Sequence, residues 1–220
     1  MQKEQIIHLE SIVPEYRSKW RLVRNLFWSR IYNAVSFIPR FENKKEINVL
    51  EIGMGEGVFL KTFVEKRSDL KERVTIYGCD FNLHLSKLPA DIRNQCVIIT
   101  SDARKLPFKS KKFDVVVALD VLEHIKDVGE ALDEISRVLV ADGTFIISAP
   151  TENFLQKCAR FLMTGKLSRT NQDASGIHYH NAYTLKRDLQ KRLVYKETKN
   201  LPSYSPIPIL KVMKFEKKRT

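Results

Sequence analysis

A glycine-rich segment preceded by an acidic residue is the strongest chemical signal in the sequence. Gly53, Gly55 and Gly57 alternate directly after an apolar run that contains Glu51. Glycine permits a tight turn and leaves room for the backbone to approach a ligand, and a helix that follows presents free N–H groups to an anion. The dinucleotide pattern GxGxxG needs a small residue at position 58, where this chain has Val58. The spacing therefore favours a cofactor loop of another type.

Two aspartates follow the next two apolar runs of the chain. Asp80 ends one run, and Asp102 comes two residues after the other. Phe81 and Ala103 come directly after the two acids. Phe81 could pack on the ring of a ligand or belong to the core, and both interpretations stay open.

Five further polar residues offer chemistry that is less specific. Asp120 follows an apolar run and either lines a ligand site or caps a helix. His124 is either a structural hydrogen-bonding residue or a base, and Arg30 could pair with a ligand carboxylate or lie exposed to solvent. His178 and His180 stand in a polar segment and are the candidate catalytic residues, because an imidazole can take a proton from a substrate hydroxyl near neutral pH.

Alternating strands and helices must position these residues. Short apolar runs predict strands at 47–52, 74–79, 96–100, 113–119, 144–148, 193–198 and 207–215. Helical periodicity predicts helices at 14–38, 57–66, 82–88, 127–140 and 152–163 and one from residue 184, and Gly143 is expected to follow the end of the fourth. The alternation predicts an α/β fold: a doubly wound, mostly parallel seven-stranded sheet with helices on both faces and an N-terminal helical cap. Ligands of such sheets bind at the carboxyl ends of the strands, where the glycines and aspartates lie.

The chain divides into three segments of one domain. Residues 1–46 form the cap, 47–150 the cofactor-binding core, and 151–220 a lid segment followed by strands that complete the same domain. The polar, aperiodic segment Gly165–Tyr183 is expected to be a lid over the ligand. The cap helix has an apolar and a basic stripe, so it either packs over the core or also touches a membrane or an anionic acceptor.

The charge distribution concerns the partners of the protein. The 220 residues carry a net charge of +12, divided as +4 over 1–46, −2 over 47–150 and +10 over 151–220. Basic flanks favour anionic partners, although they also serve as a solubilising surface. The sequence does not indicate an oligomeric state.

Cysteine usage and hydropathy concern the compartment. The three cysteines, Cys79, Cys96 and Cys158, form no CxxC motif or Cys/His cluster, so neither a disulfide framework nor a metal site is expected. No apolar run approaches the ~18 residues of a membrane-spanning helix, and the N-terminus lacks an apolar signal core. We therefore expect a cytoplasmic protein without a transmembrane segment.

In sequence order, the motifs of residues 47–150 resemble those of the class I S-adenosylmethionine-dependent methyltransferases, and their type 11 branch most closely. Residues 49–57 match hydrophobic–hydrophobic–acid–x–Gly–x–Gly–x–Gly, and the runs FDVVVALDVLEHI and DGTFIISAP match later motifs. The resemblance implies a Rossmann-like fold with S-adenosyl-L-methionine (SAM) as cofactor and S-adenosyl-L-homocysteine (SAH) as product. It implies a cofactor site made of Glu51, Gly53, Gly55, Gly57, Asp80, Phe81, Asp102, Ala103 and Leu119. In the family, the acid matched by Asp80 binds both ribose hydroxyls, and the one matched by Asp102 accepts from the adenine amino group.

The acceptor of the methyl group is inferred from missing motifs. The Asn/Asp-Pro-Pro-aromatic motif of methyltransferases that act on amino groups of bases is absent, because the fourth strand runs into Leu119-Asp120-Val121-Leu122. The cysteine nucleophile of pyrimidine-carbon methyltransferases has no counterpart, since Cys158 falls in a predicted helix. These absences favour direct in-line methyl transfer to a small-molecule or lipid-like acceptor, and the basic flanks are compatible with an anionic or membrane-associated one. An RNA or protein methyltransferase and a non-catalytic cofactor-binding protein remain alternatives.

Overall fold

The computed structural model describes residues 21–42, 44–70, 72–152 and 177–219. The helices in these residues are α1 (Arg21–Ser36), α2 (Val58–Lys66), α3 (Ala90–Gln95), α4 (Val128–Val138) and α5 (Ala182–Leu189). The strands are β1 (Ile47–Ile52), β2 (Val74–Asp80), β3 (Cys96–Thr100), β4 (Phe113–Leu119), β5 (Leu139–Pro150), β6 (Val194–Leu201) and β7 (Leu210–Glu216). Within this part of the chain, no helix has the length and apolar character that crossing a membrane requires.

The strands form one sheet in the order β3-β2-β1-β4-β5-β7-β6. The first five strands pair in parallel, and β7 runs antiparallel to both β5 and β6. The strand order reverses direction between β1 and β4, which makes a crevice at their carboxyl ends, where ligands of doubly wound sheets bind. The expected doubly wound, mostly parallel seven-stranded sheet is confirmed.

The core lies on both faces of this sheet. All seven residues of β4 are buried, as expected for a central strand covered by helices on both sides. Val115 and Val117 belong to the apolar cluster that includes side chains of α1 and α2. Val116 and Ala118 alternate with them and pack into the cluster that includes α4 and α5.

Helix α1 packs over the sheet. Its apolar residues Ile31, Ala34 and Val35 are buried, and the helix contacts α2 and strands β5, β6 and β7. Burial of this stripe offsets the conformational entropy of ordering the helix. The core-packing interpretation is confirmed for 21–36, and the predicted residues before 21 lie outside the described part of the chain.

Two predicted boundaries in the core are wrong. The helix expected at 82–88 is only a short 3-10 turn, Leu85–Lys87, and α3 begins after Pro89. Proline restricts the residue before it to extended backbone, so the chain cannot stay helical through this position. Strand β5 begins directly after α4, and Gly143 therefore lies inside the strand rather than after the helix end.

The start of the C-terminal helix is explained by its cap. Asn181 accepts hydrogen bonds from the backbone N–H groups of Tyr183 and Thr184, and Thr184 Oγ1 accepts from the Asn181 N–H in return. This reciprocal cap places Thr184 in the third helical position rather than at the start. The predicted helix 152–163 falls outside the described residues from 153 onward, as does the predicted lid segment up to residue 176.

Candidate active site

The turn from β1 to α2 carries the glycines identified in the sequence. Gly53 and Gly55 have φ values of +69° and +50°, a region that side chains rarely adopt. A Cβ on Gly53 would lie 2.2 Å from Val121 Cγ2, whereas a Cβ on Gly55 would meet no described atom within 4 Å. Gly53 is therefore needed for packing against the loop after β4, and Gly55 faces open space where a ligand can approach the backbone.

Asp80 connects the end of β2 to this glycine turn. Its Oδ2 accepts a hydrogen bond from the Gly55 N–H at 2.8 Å, and its Oδ1 accepts from the Asn82 N–H at 2.9 Å. A carboxylate offers about four lone-pair sites, so two of them remain for further donors. Asp80 can therefore hold the turn and bind a diol at the same time.

A cavity of about 540 Å³ opens at the carboxyl ends of the strands. This volume is within the range of roughly 300–1,000 Å³ that small-molecule sites occupy. Its walls are formed by Ile52, Gly53, Asp80, Phe81, Ser101, Asp102, Ala103, Arg104, Asp120, Val121, His124, Ile125, Lys126 and Tyr179. Five of the nine candidate cofactor residues thus line the cavity, and the other four, Glu51, Gly55, Gly57 and Leu119, are not among its lining residues.

Two of the lining residues have surroundings that the sequence left open. Phe81 is 76% exposed, which rules out the core interpretation and leaves its ring available to a ligand. The carboxylate of Asp102 accepts from the Arg104 backbone N–H at 2.8 Å and from Arg104 Nη2 at 2.7 Å. Hydrogen bonding from the Arg104 guanidinium holds the pKa of Asp102 below its usual value, so this wall of the cavity presents an ionised acceptor.

Helix α1 reaches the site through Arg30. Its guanidinium forms an ion pair with Asp120, whose Oδ1 also accepts a hydrogen bond from Ser148 Oγ at 2.5 Å. Arg30 is 8% exposed, so the expectation that it lies in solvent is wrong. Asp120 has a φ of +55° and lines the cavity, which favours the site-lining interpretation over helix capping.

Glu51 lies buried near the carboxyl end of β1. Burial raises the pKa of its carboxyl well above the usual value, Arg30 opposes this shift, and Asp80 adds to it. Its Oε2 has no hydrogen-bond partner among the described residues. A cationic group that binds next to this buried carboxyl would stabilise its ionised form.

The histidines meet where the turn after β4 contacts the segment 177–180. His124 lines the cavity, and its ring packs edge-to-face on His178 with centroids 4.8 Å apart. His178 Nδ1 lies 2.7 Å from Glu152 Oε1, and His180 Nε2 lies 3.1 Å from the backbone oxygen of Lys126. Neither candidate catalytic histidine lines the cavity directly, and Tyr179 between them does.

Several lining residues could not be identified from the sequence. Val121, Ile125 and Lys126 follow β4 without any chemical motif, and Arg104 carries no signal beyond its charge. The proximity of Tyr179 to His124 depends on the backbone bonds that Tyr179 and His180 donate to the Glu123 carbonyl at 2.8 and 3.4 Å. A hydrogen bond between segments more than fifty residues apart leaves no local trace in the sequence.

The site has the acceptors and the space that SAM requires. The open position at Gly55 permits close approach of the ligand to the backbone, and Asp80 retains acceptors for a pair of hydroxyls. The unpartnered Oε2 of Glu51 suits the cationic amino-acid end of the molecule. The residues present therefore fit this cofactor.

Comparison with known proteins identifies the class. Residues 50–147 match a family model described as a methyltransferase domain, of type 11. A solved N-methyltransferase, NodS from Bradyrhizobium japonicum in complex with SAH, superposes with a TM-score of 0.66 at 16% identity, over 96% of this chain and 99% of that one. Residues 50–147 therefore carry a methyltransferase domain of type 11, which is a family of class I enzymes that use SAM as their cofactor.

Curated relatives extend the similarity beyond the core. Uncharacterized protein MJ0638 from Methanocaldococcus jannaschii is 32% identical over 156 residues, which are 66% of this chain and 64% of that protein. A ubiquinone biosynthesis O-methyltransferase from Bartonella quintana is 26% identical over 179 residues, which are 81% of this chain and 65% of that protein. The chain thus spans just under two thirds of the length of either relative.

Proposed function

We propose that this protein is a SAM-dependent methyltransferase that acts on a small-molecule or lipid-like acceptor. The observation that carries the proposal is the cavity of about 540 Å³ at the carboxyl ends of β1, β2 and β4, with Gly53 and Asp80 on its wall. A loop that admits a ligand next to a carboxylate with spare acceptors is the arrangement that an adenosyl cofactor needs.

The work of the protein in such a reaction is alignment. SAM, when bound, supplies an activated methyl group on a sulfonium sulfur. Asp80 would hold the ribose, Asp102 the adenine amino group, Phe81 would pack on the adenine ring, and Glu51 would attract the amino group of the methionine end. The ion pair of Arg30 with Asp120 would keep α1 closed against the site. Held in this way, the donor and acceptor meet in the orientation that direct in-line transfer requires.

The walls of the cavity support an anionic acceptor. Lys126 and Arg104 bring two cationic side chains to it, of which Arg104 is paired with Asp102. One of the relatives is, by its name, an O-methyltransferase of ubiquinone biosynthesis. The cavity chemistry and this likeness favour an acceptor with an anionic group and an apolar body.

The proposed base is a histidine of the segment 177–180. His178 is favoured over His180, because it packs on the cavity-lining His124 while His180 faces the Lys126 carbonyl. A base is needed only for an acceptor that is protonated when bound. The variants His178→Ala and His180→Ala, assayed for turnover and for SAH affinity, test this role. An unchanged rate in the double variant would remove it.

The test of the proposed function is product detection. The protein, incubated with methyl-labelled SAM and a metabolite extract, should produce SAH and a labelled compound that gains the mass of one methyl group. Calorimetric titration with SAH shows separately whether the cofactor site is intact. Binding of SAH without any product in metabolite and lipid extracts would favour a non-catalytic binding protein. Label that appears only in RNA or protein would contradict the proposed acceptor class.

A further inference from the structure

A cluster of metal-binding side chains lies beside the cavity. Glu123, His124 and His178 each offer one ligand atom, and these atoms all lie within 4.8 Å of one another. Glu123 is only 1% exposed, and His124 forms part of the cavity wall. A carboxylate taken out of water next to two imidazoles is stabilised by a cation that all three can share.

Each histidine of the cluster has one ring nitrogen held by an oxygen atom. His124 Nδ1 lies 3.0 Å from the Ile177 carbonyl oxygen, and His178 Nδ1 lies 2.7 Å from Glu152 Oε1. Because these oxygens accept, each Nδ1 is assigned as the donor, which leaves Nε2 of each ring as the nitrogen that can bind an ion. A histidine whose second nitrogen donates to a carboxylate or a backbone carbonyl is the usual arrangement behind a metal ligand.

We propose that Glu123, His124 and His178 bind a divalent transition metal ion of the zinc class, with Glu152 as a positioning residue behind His178. Two imidazoles and one carboxylate form a ligand set that leaves a fourth coordination position open. Imidazole ligands favour zinc-like ions over Mg²⁺ or Ca²⁺, which prefer oxygen ligands alone. The proposal departs from the expectation from the sequence that the protein has no metal site.

The geometry allows the cluster to close around an ion. Ligand atoms about 2.1 Å from a tetrahedral ion lie about 3.4 Å apart. From separations of up to 4.8 Å, the side chains must approach each other by at most about 1.4 Å. Movements of this size would have to come from rotations about the side-chain torsions of the three ligands.

The open coordination position indicates what the ion would do. Because His124 belongs to the cavity wall, an ion bound to it would lie next to the cavity, where an oxygen of the acceptor could bind it. A metal-bound hydroxyl has a lowered pKa, so the ion would take over the task otherwise given to a histidine base. This role rests on the proposed function, whereas binding of the ion does not.

Metal titration of the full chain tests the site. The protein is freed of metal with a chelator and titrated with Co²⁺, whose visible absorption reports nitrogen and oxygen ligands. We expect one equivalent to bind, and His178→Ala and Glu123→Gln to weaken the affinity by more than about 100-fold. Glu152→Gln keeps the ligands but weakens the support of His178, and should cost about 10–100-fold. His180→Ala is the matched control, a histidine two residues from His178 that should leave binding unchanged.

Further measurements on the same variants separate a failure of the metal site from a failure of the proposed function. SAH affinity and the melting temperature, measured without metal, show whether each variant is folded. If His178→Ala is not folded, Glu152→Gln replaces it as the test of the metal site. No stoichiometric Co²⁺ binding by the wild-type protein would overturn the proposal. Equal Co²⁺ affinity in the wild-type protein and in folded Glu123→Gln and Glu152→Gln variants would overturn it as well. Metal binding by a protein that shows no methyl transfer would support the site and contradict only the proposed function.

Discussion

Asp80 has two tasks at the edge of the cavity. Its carboxylate holds the glycine turn through the Gly55 N–H, lines the cavity, and in the proposed function binds the ribose of the cofactor. The family resemblance predicted the second task, while the first depends on a contact between two segments 25 residues apart. A variant of this residue therefore affects both the ligand and the turn.

We expect Asp80→Ala to lower SAH affinity by at least about tenfold, or about 1.4 kcal/mol, because the diol loses its acceptor. Calorimetric titration measures the affinity, and chemical denaturation measures the free energy of unfolding. Asp133→Ala is the control, because that aspartate is exposed on α4 and pairs with Arg192 away from the cavity. An affinity for Asp80→Ala within about threefold of wild type would falsify the ribose assignment.

Asp102 is tested by changing the ligand together with the residue. If its carboxylate accepts from the adenine amino group, Asp102→Ala should weaken SAH binding by about tenfold or more, since a hydrogen bond to a charged group is worth about 1.5–3 kcal/mol. An SAH analogue with oxygen in place of the amino group should lose much less. Arg104→Ala, which removes the partner of Asp102 and keeps the acceptor, is the control. Equal losses for both ligands would mean that Asp102 only supports its loop.

The β1–α2 turn shows at the scale of an element how two glycines with similar backbone differ. Both Gly53 and Gly55 have positive φ, so a side chain at either position strains the backbone by roughly 1–2 kcal/mol. Only at Gly53 would a Cβ also collide with Val121. A side chain at Gly53 should therefore disturb the packing of the protein, whereas one at Gly55 should only fill space that a ligand could occupy.

We expect Gly53→Ala to lower the free energy of unfolding by about 1–3 kcal/mol more than Gly55→Ala, because overpacking adds to the strain. Gly55→Ala should fold and yet bind SAH much more weakly, since its methyl group would occupy the open space. Denaturant unfolding measures the free energy of unfolding and calorimetry measures SAH affinity. Each of the two variants is the control for the other. Normal SAH affinity in Gly55→Ala would show that the ligand does not approach this backbone.

At the scale of the whole molecule, Glu51 links stability to pH. Glu51 is a buried residue of β1, and burial raises the pKa of its carboxyl well above the value in the unfolded chain. The folded state therefore binds a proton more tightly than the unfolded state. The stability contributed by the protonated carboxyl is complete below the unfolded pKa and is lost as the pH rises towards the folded pKa.

The variant Glu51→Gln should not lose stability in this way as the pH rises, because a neutral amide does not titrate. We expect it to be more stable than wild type at pH 8 and to show a smaller difference at pH 5, as measured by calorimetric melting at constant salt. Arg30 retains its ion pair with Asp120 in the variant, so no buried cation is left alone. A stability difference that is the same at both pH values, or larger at pH 5, would mean that Glu51 is ionised in the folded protein.

Much of the fold could be predicted because its signals are local. Strands β1, β3 and β4 have the predicted bounds, since each is a short apolar run bounded by polar residues. The glycine turn and Asp80 were found for the same reason, and parallel topology alone brings strand ends together. The helix expected at 82–88 was wrong where Pro89 interrupts an otherwise helical pattern.

By itself, the sequence determined the fold class and the position of the glycine turn, because these depend on periodicity and spacing within a few residues. The cofactor followed from the resemblance of the motifs in residues 47–150 to a known family. Only the tertiary structure decided the pairing of Arg30 with Asp120, which lie 90 residues apart, and the cluster of His124 with His178. Such contacts depend on how α1 and the segment 177–180 pack against the end of β4. These contacts are stabilised by burial and by charge pairing between residues far apart in the sequence, and neither effect leaves a pattern along the chain.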